Sequence, residues 1–539
     1  MMMKSAPRKP ATGFKGLKEN WKDDIRSGFL VSLIALPLSL GIAGASNFPP
    51  MMGVLTAIVG GIAVSFFTDS ELTIKGPAAG LIVIAAGAVD ELGRGDAVLG
   101  WHLALGSIVV AGILQIATGA MKLPRFADFV PLSAVHGMLV AIGIIIMSKQ
   151  IHLAVGVAPS ELKGKAPLEL IEMVPHSLLN MEYHIAIIGL VGLMIMFGWQ
   201  YLSFLFLKKI PPALVVLVIS IVLGQLFHLF EPTYRDIKPL INPGEFTLSY
   251  NASFAGITFD LIPVFIKYVL MFLLVGSLES LLTVKAIDLL DPYKRKADMS
   301  RDIVAVGAGN VVAGLLGGLP MISEVVRSSA NINNGGKTRW ANLFHGVFLL
   351  VFVTALIPVI RMVPVAAMAT MLIFAGFQLA SPEEFKHIYH IGKEQLIIFL
   401  VTIAATLVTD LLIGIGMGIL TKFIMQLSYG VKLSDIFAPK IEIDVNNDIY
   451  FVRVTRAAVF SNYLALKGKL ETLPQGKNVK VDFSEAPYVD HTVMENITRF
   501  KNDYEQAGGK MELVGFESYQ TLSDHPLAAR KNQRLTVIG

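Results

Sequence analysis

Along most of this chain, apolar blocks about as long as a bilayer-crossing helix alternate with short polar connectors. A hydrocarbon core about 30 Å thick takes roughly 20 apolar residues per helix. The pattern therefore predicts spans at 27–44, 51–67, 99–120, 128–148, 182–204, 211–229, 262–284, 301–316, 340–360, 363–380, 394–410 and 411–430. Two more apolar stretches, near 77–89 and 321–333, are too short to cross, and with them the count is about 14 membrane segments. Ahead of the first span, residues 1–26 are polar and carry Lys4, Arg8, Lys9, Lys15, Lys18, Lys22 and Arg26. They predict a cytoplasmic arm with no cleavable signal.

From 439 onward the period changes. Ile441, Ile443 and Val445, then Ile449, Phe451 and Val454, alternate as half-buried strands do, and 479–483 is a short buried-strand run. Helical patterns follow at 460–473 and 491–506, and 511–516 supplies a further strand. Strand–helix alternation predicts a small cytoplasmic α/β domain at 439–539, appended to a transmembrane domain at 27–430.

Composition agrees with this picture. Of 539 residues, 54% are hydrophobic and 16% are charged, against roughly 25% charged in soluble globular chains. An ordinary soluble enzyme is excluded. The net charge of +4 leaves no basic face beyond what membrane topology uses, so no nucleic-acid partner is expected. There is no cysteine, which excludes disulfides and thiolate sites. No metal-ligand spacing, phosphate loop or nucleophile–base arrangement is visible, so no catalytic residue, metal or cofactor is expected. Lys122 and Arg125, Lys208 and Lys209, the 285–301 connector with Lys294, Arg295, Lys296 and Arg301, Lys337 and Arg339, and the 381–393 connector fall on one side of the predicted topology. That bias places them, and both termini, in the cytoplasm.

The chemistry gathers at the two short segments, each the third element of a half. The first opens Lys75-Gly76-Pro77-Ala78-Ala79-Gly80 and the second Gly317-Gly318-Leu319-Pro320-Met321-Ile322-Ser323. Short, Gly/Pro-interrupted segments in matching positions point to an inverted-repeat transporter and its site. Glycine permits an irregular approach and proline suits the first turn of a helix, so both segments read as half-helices beginning inside the membrane. Their opposed N-termini, each carrying about half a positive charge, make an anion site. Three ionisable residues stand at membrane depth, Glu279, Glu324 and Arg327, where charge is costly and functional by default. Glu324 and Arg327 are three apart and share a helix face. His136, His345, Asn310 and the glycines at 307, 309, 314, 414, 416 and 418 read as structural packing instead.

Ala35-Leu36-Pro37-Leu38-Ser39-Leu40, Ile74-Lys75-Gly76-Pro77-Ala78-Ala79, Gly276-Ser277-Leu278-Glu279-Ser280-Leu281-Leu282, Gly307-Ala308-Gly309-Asn310 and Arg327-Ser328-Ser329-Ala330-Asn331 together resemble the sulfate permease (SulP) family of anion transporters, over nearly the whole chain. Val481-Asp482-Phe483-Ser484 and Tyr488-Val489-Asp490-His491-Thr492 resemble the STAS domain that family carries. The resemblance implies an all-α membrane domain built as a seven-plus-seven inverted repeat, with core and gate domains, elevator motion and a homodimer. It implies a substrate pocket at Leu38, Ile42, Ala78, Ala79, Ser323, Glu324 and Arg327, and a coupling position for a proton or sodium ion at Glu279. This chain departs from the family at Leu38, where glutamine is frequent, at Ala78, where an aromatic is, and at Glu324, where a small residue is. His491 stands where related tails carry a phosphorylatable serine.

The expected function is secondary active transport of a small inorganic anion, bicarbonate or sulfate, across an inner membrane, coupled to a proton or sodium. Glu324 is a second coupling candidate: ionised, it neutralises Arg327; protonated, it releases Arg327 to the substrate. The rival readings are a proton-coupled C4-dicarboxylate carrier, an uncoupled anion channel and a nucleobase permease of the same fold.

Overall fold

The computed structural model describes residues 9–122, 131–162, 164–201, 210–231, 234, 237, 239–244, 246, 249–254, 257–437, 439–446 and 449–533. Arg125, Lys208 and Lys209, and parts of the predicted spans at 128–148 and 182–204, lie outside them.

Among the described residues, seven helices are long and apolar enough to cross a membrane: Gly13–Ala45, Ala97–Ala120, Leu132–Ala154, Ile262–Leu290, Met299–Leu316, Val365–Ile391 and Leu411–Ser428. An eighth is added if Pro167–Leu179 and Tyr183–Gly198, bent by 115°, form one span. The predicted spans near 51–67, 211–229 and 340–360 appear as shorter apolar helices, Pro50–Phe66, Pro212–Leu226 and Trp340–Ala355. The chain is a mostly helical, multi-pass membrane protein.

It divides into two compact units. The larger comprises the described residues up to 122 and 142–379. Its helices α1 (Gly13–Ala45), α2 (Pro50–Ile62), α3 (Ile82–Gly93), α4 (Ala97–Ala120), α5 (Ile262–Leu290), α6 (Met299–Leu316), α7 (Val325–Asn333) and α8 (Trp340–Ala355) frame the centre. Helix α1 begins well before the predicted 27, because the polar arm continues the same helix and buries Gly16 and Asp24. Close approach of backbones holds these helices together, as expected where lipid offers no hydrophobic drive between them. A β-carbon on Gly112 of α4 would crowd the Gly307 carbonyl of α6, and one on Gly61 would meet Gly346 of α8. Asp96 and Asp298 cap the starts of α4 and α6 by accepting from the second and third amides, as short polar side chains do at helix N-termini.

Between these helices lies a two-stranded antiparallel ribbon, β1 (Ile74–Pro77) with β2 (Met321–Glu324). Ile74 faces Glu324, Lys75 faces Ser323, Gly76 faces Ile322 and Pro77 faces Met321. This corrects two expectations. The membrane domain is not purely α, and Pro77 and Pro320 do not open helices: Pro77 ends β1, and Pro320 directly precedes β2. The half-helices start later, with a 3₁₀ turn at Ala79–Leu81 leading into α3, and with α7 at Val325. The ribbon satisfies backbone groups that would otherwise be bare at that depth.

The smaller unit holds the described part of 125–141 and residues from 380 on. Helices α9 (Lys393–Val408) and α10 (Leu411–Ser428) pack tightly where Gly414 and Gly418 abut Thr406 and Thr402. Among the described residues nothing meets a β-carbon on Gly416, so the packing reading does not extend to it. The tail forms β3 (Ile441–Asn446), β4 (Ile449–Val454), β5 (Asn478–Asp482), β6 (Tyr488–Val489), β7 (Lys510–Val514), β8 (Tyr519–Thr521) and β9 (Arg530–Asn532), with helices α11 (Tyr463–Glu471) and α12 (His491–Gln506). Its main sheet has the order β3-β4-β5-β7, an antiparallel hairpin followed by parallel pairs. The predicted α/β character is thus present, and its core is Val452, Val454, Val479, Val481, Phe483, Val493 and Ile497 with their neighbours.

Candidate functional site

The ribbon brings the two broken segments together, and the ionisable residues collect around it. Arg327, in the first turn of α7, has no exposed surface. Its Nη2 donates to Ser39 Oγ of α1 at 3.2 Å, and its Nε lies 3.7 Å from Glu324 Oε2. Neither Nε nor Nη1 has a hydrogen-bond partner among the described residues. The guanidinium lies over Gly76 of β1, where a β-carbon would overlap Nη1. Buried donors of this kind are almost always paired, and two open ones on a charged fork fit an oxyanion.

Glu324 is the residue before α7, with extended backbone, and its side chain does not cap the helix. Among the described residues its Oε2, though ion-paired with Arg327, has no hydrogen bond, nor has Oε1 of Glu279, which is buried in α5. The Glu279 carboxylate presses on Gly80, where a β-carbon would overlap it. Ala78 is buried and Ala79 half-buried at the exit from β1. Leu38 is half-buried and Ile42 buried on α1, beyond Pro37. Ser323 is fully buried, but its hydroxyl is already committed to Lys75, Ser280 and Asp302.

Glu324, Arg327, Ser323 and Glu279 therefore sit together as the sequence suggests, and the pairing of Glu324 with Arg327 is present. Sequence reasoning missed Ser39, the α1 side chain that touches Arg327. It also missed Lys75 as a buried charge, along with its partner Asp302. Asn310, read as packing, brackets the strand: its Nδ2 donates to the Met321 carbonyl at 3.2 Å and its Oδ1 accepts from the Met321 amide at 2.6 Å. His136 pairs with Glu384 at 2.5 Å, whereas neither ring nitrogen of buried His345 is hydrogen-bonded among the described residues. No cluster able to hold a metal ion through His, Asp or Glu occurs among the described residues.

Comparison with known proteins makes this a membrane anion transporter rather than an enzyme. Residues 21–402 match the sulfate permease family, and the chain belongs to it. It is 25% identical over 519 residues to the putative sulfate transporter YvdB of Bacillus subtilis, covering 94% of this chain and 93% of that one. It is 24% identical over 429 residues to the bicarbonate transporter BicA of Picosynechococcus, covering 78% and 72%. Its fold matches the transmembrane domain of a cyanobacterial BicA with a TM-score of 0.63 at 22% identity, over 73% of this chain and 97% of that one. It matches SLC26A9 with a TM-score of 0.68 at 13% identity, over 93% and 85%.

Proposed function

We propose that this protein is a secondary active transporter of a small inorganic anion, bicarbonate or sulfate, in which protonation admits the anion. The observation that carries the reading is Arg327: a fully buried guanidinium with Nε and Nη1 open, set beside the β1–β2 break. An anion taking those donors meets Ser323, Ala78, Ala79, Leu38 and Ile42 as pocket walls and Glu324 as its competitor. Opposite charges about 4 Å apart at an effective dielectric near 20 attract by roughly 4 kcal/mol before desolvation. Neutralising Glu324 removes that attraction and frees Arg327. Glu279, buried and with Oε1 unpartnered, is the second protonatable group of the cycle.

In this reading about 14 segments form a seven-plus-seven inverted repeat, with an N-terminal arm at 1–26 and a transmembrane domain at 27–430. Core and gate domains move elevator-fashion within a homodimer in the inner membrane. Both termini, and a STAS domain at 439–539, face the cytoplasm. The relatives named as bicarbonate and sulfate transporters support the choice of anion.

Reconstitution into proteoliposomes with labelled bicarbonate and sulfate tests it. Saturable uptake of one of them, driven by an inward proton gradient, is expected. Failure of both, with fumarate or succinate taken up instead, assigns the protein to dicarboxylates. Large unsaturable conductance marks a channel.

A further inference from the structure

Behind the anion site lies a second charge that the transport reading does not use. Lys75 of β1 has no exposed surface, and four oxygens surround its ammonium. They are Asp302 Oδ1 and Oδ2, both at 2.8 Å, Thr73 Oγ1 at 2.9 Å and Ser323 Oγ at 2.6 Å. Asp302 is held in turn by the Thr68 hydroxyl at 2.6 Å and the Ser323 hydroxyl at 3.2 Å. Ser280 Oγ accepts from the Ser323 amide at 3.1 Å and donates to its hydroxyl at the same distance. An ammonium has three donors, so every one of them is used, one shared across the carboxylate.

Without the ammonium, this set is a carboxylate and hydroxyl oxygens converging on one point, the ligand chemistry of a hard cation. It lies on the strand pair that carries the anion site, since Lys75 faces Ser323 and the next residue is Glu324. We propose that Lys75 is a tethered cation filling the cradle a mobile sodium ion would otherwise occupy, so that transport by this protein is independent of sodium. The inference rests on the transport reading above and bears on its coupling ion. The oxygens of the cradle are spent on Lys75, while Glu279 and Glu324 each keep one oxygen without a hydrogen bond among the described residues.

The test compares initial uptake of labelled bicarbonate or sulfate into proteoliposomes in sodium and in choline, with pH and membrane potential clamped. Wild-type protein should give equal rates. Lys75→Ala should fall at least about tenfold in choline, because it leaves Asp302 buried and unpaired, and should recover when sodium or methylammonium is supplied. Wild-type uptake that disappears in choline overturns the proposal, whether or not the variant folds. So does a folded Lys75→Ala whose uptake ignores sodium. If wild type moves no anion at all, the transport reading fails instead. Thermal unfolding in detergent still decides the cradle: sodium should stabilise Lys75→Ala and leave wild type unchanged, and the reverse result refutes it.

Discussion

Arg327 and Glu324 are three residues apart on one short helix, and their contest is the most local feature of the mechanism. The sequence shows both, because an ionisable side chain in an apolar run has no bland explanation at membrane depth. It does not show Ser39, a small hydroxyl on an otherwise apolar helix, where serine is commonplace. The resemblance points to its neighbour Leu38, yet the side chain that reaches Arg327 is Ser39. Lys75 was hidden for a different reason: its counter-charge Asp302 is 227 positions away and becomes a partner only when β1 meets α6. For the contest itself, Glu324→Gln should remove the acid activation of uptake and leave Arg327 permanently available. Uptake by wild type should rise as external pH falls, while the variant should be fast and flat across the same range. A variant with the wild-type pH profile would assign the proton to Glu279.

The breaks in the two short segments are legible as elements, but their form is not. Four residues of strand are too few to set up an alternating pattern, and the run 74–77 is buried along its whole length. Pro77 also carries no N–H, which fits a helix start and a strand end equally well. Only the pairing partner decides, and it lies in the other half of the chain. Two glycines at close approaches, one in the ribbon and one on α2, should show opposite signatures on substitution. On Gly76 a methyl would meet the far end of the Arg327 side chain, which can swing aside. Gly76→Ala should therefore fold with a melting temperature near wild type and lose anion affinity, read as a raised KM for uptake. On Gly53 of α2 a methyl would run into the Ser39 carbonyl of α1, backbone against backbone. Gly53→Ala should lower the melting temperature or the yield of folded protein whatever its residual affinity. Equal loss of stability in both variants would refute the view that Gly76 serves the site.

At the scale of the whole molecule, the tail's predicted strands at 441–454, 479–483 and 511–516 and helices at 460–473 and 491–506 have counterparts in β3, β4, β5, β7, α11 and α12, because period-two and 3.6-residue patterns are strong there, whereas the short β6, β8 and β9 carry no such pattern. The pattern says nothing about what the tail is joined to. In the smaller unit, Lys422 of α10 lies 2.6 Å from Glu394 of α9 and 3.9 Å from Asp490, the residue that caps α12. Tyr488 donates to Glu394 at 3.2 Å, and Gln426 donates to Asp490 at 3.0 Å. All of these residues are buried. Burial pushes the Asp490 carboxyl up, and Lys422 with the amides of Val493 and Phe460 pulls it back. Taking the cation away leaves two enclosed carboxylates facing one another, a loss of about 3–5 kcal/mol for a buried partner removed alone. Lys422→Met should accordingly destabilise the unit at neutral pH. A carboxyl whose folded value is raised contributes stability below that value and loses it as pH rises through it. The variant should thus regain stability as the buffer is acidified, by more than wild type does over the same interval. Adding Glu394→Gln should restore part of the loss at neutral pH, since only Asp490, still held by two backbone amides and Gln426, then remains charged. Thermal unfolding of the three proteins between neutral and mildly acid pH reads both effects. A Lys422→Met that melts with wild type at every pH would mean that the network is solvated and does not tie the tail to α9 and α10.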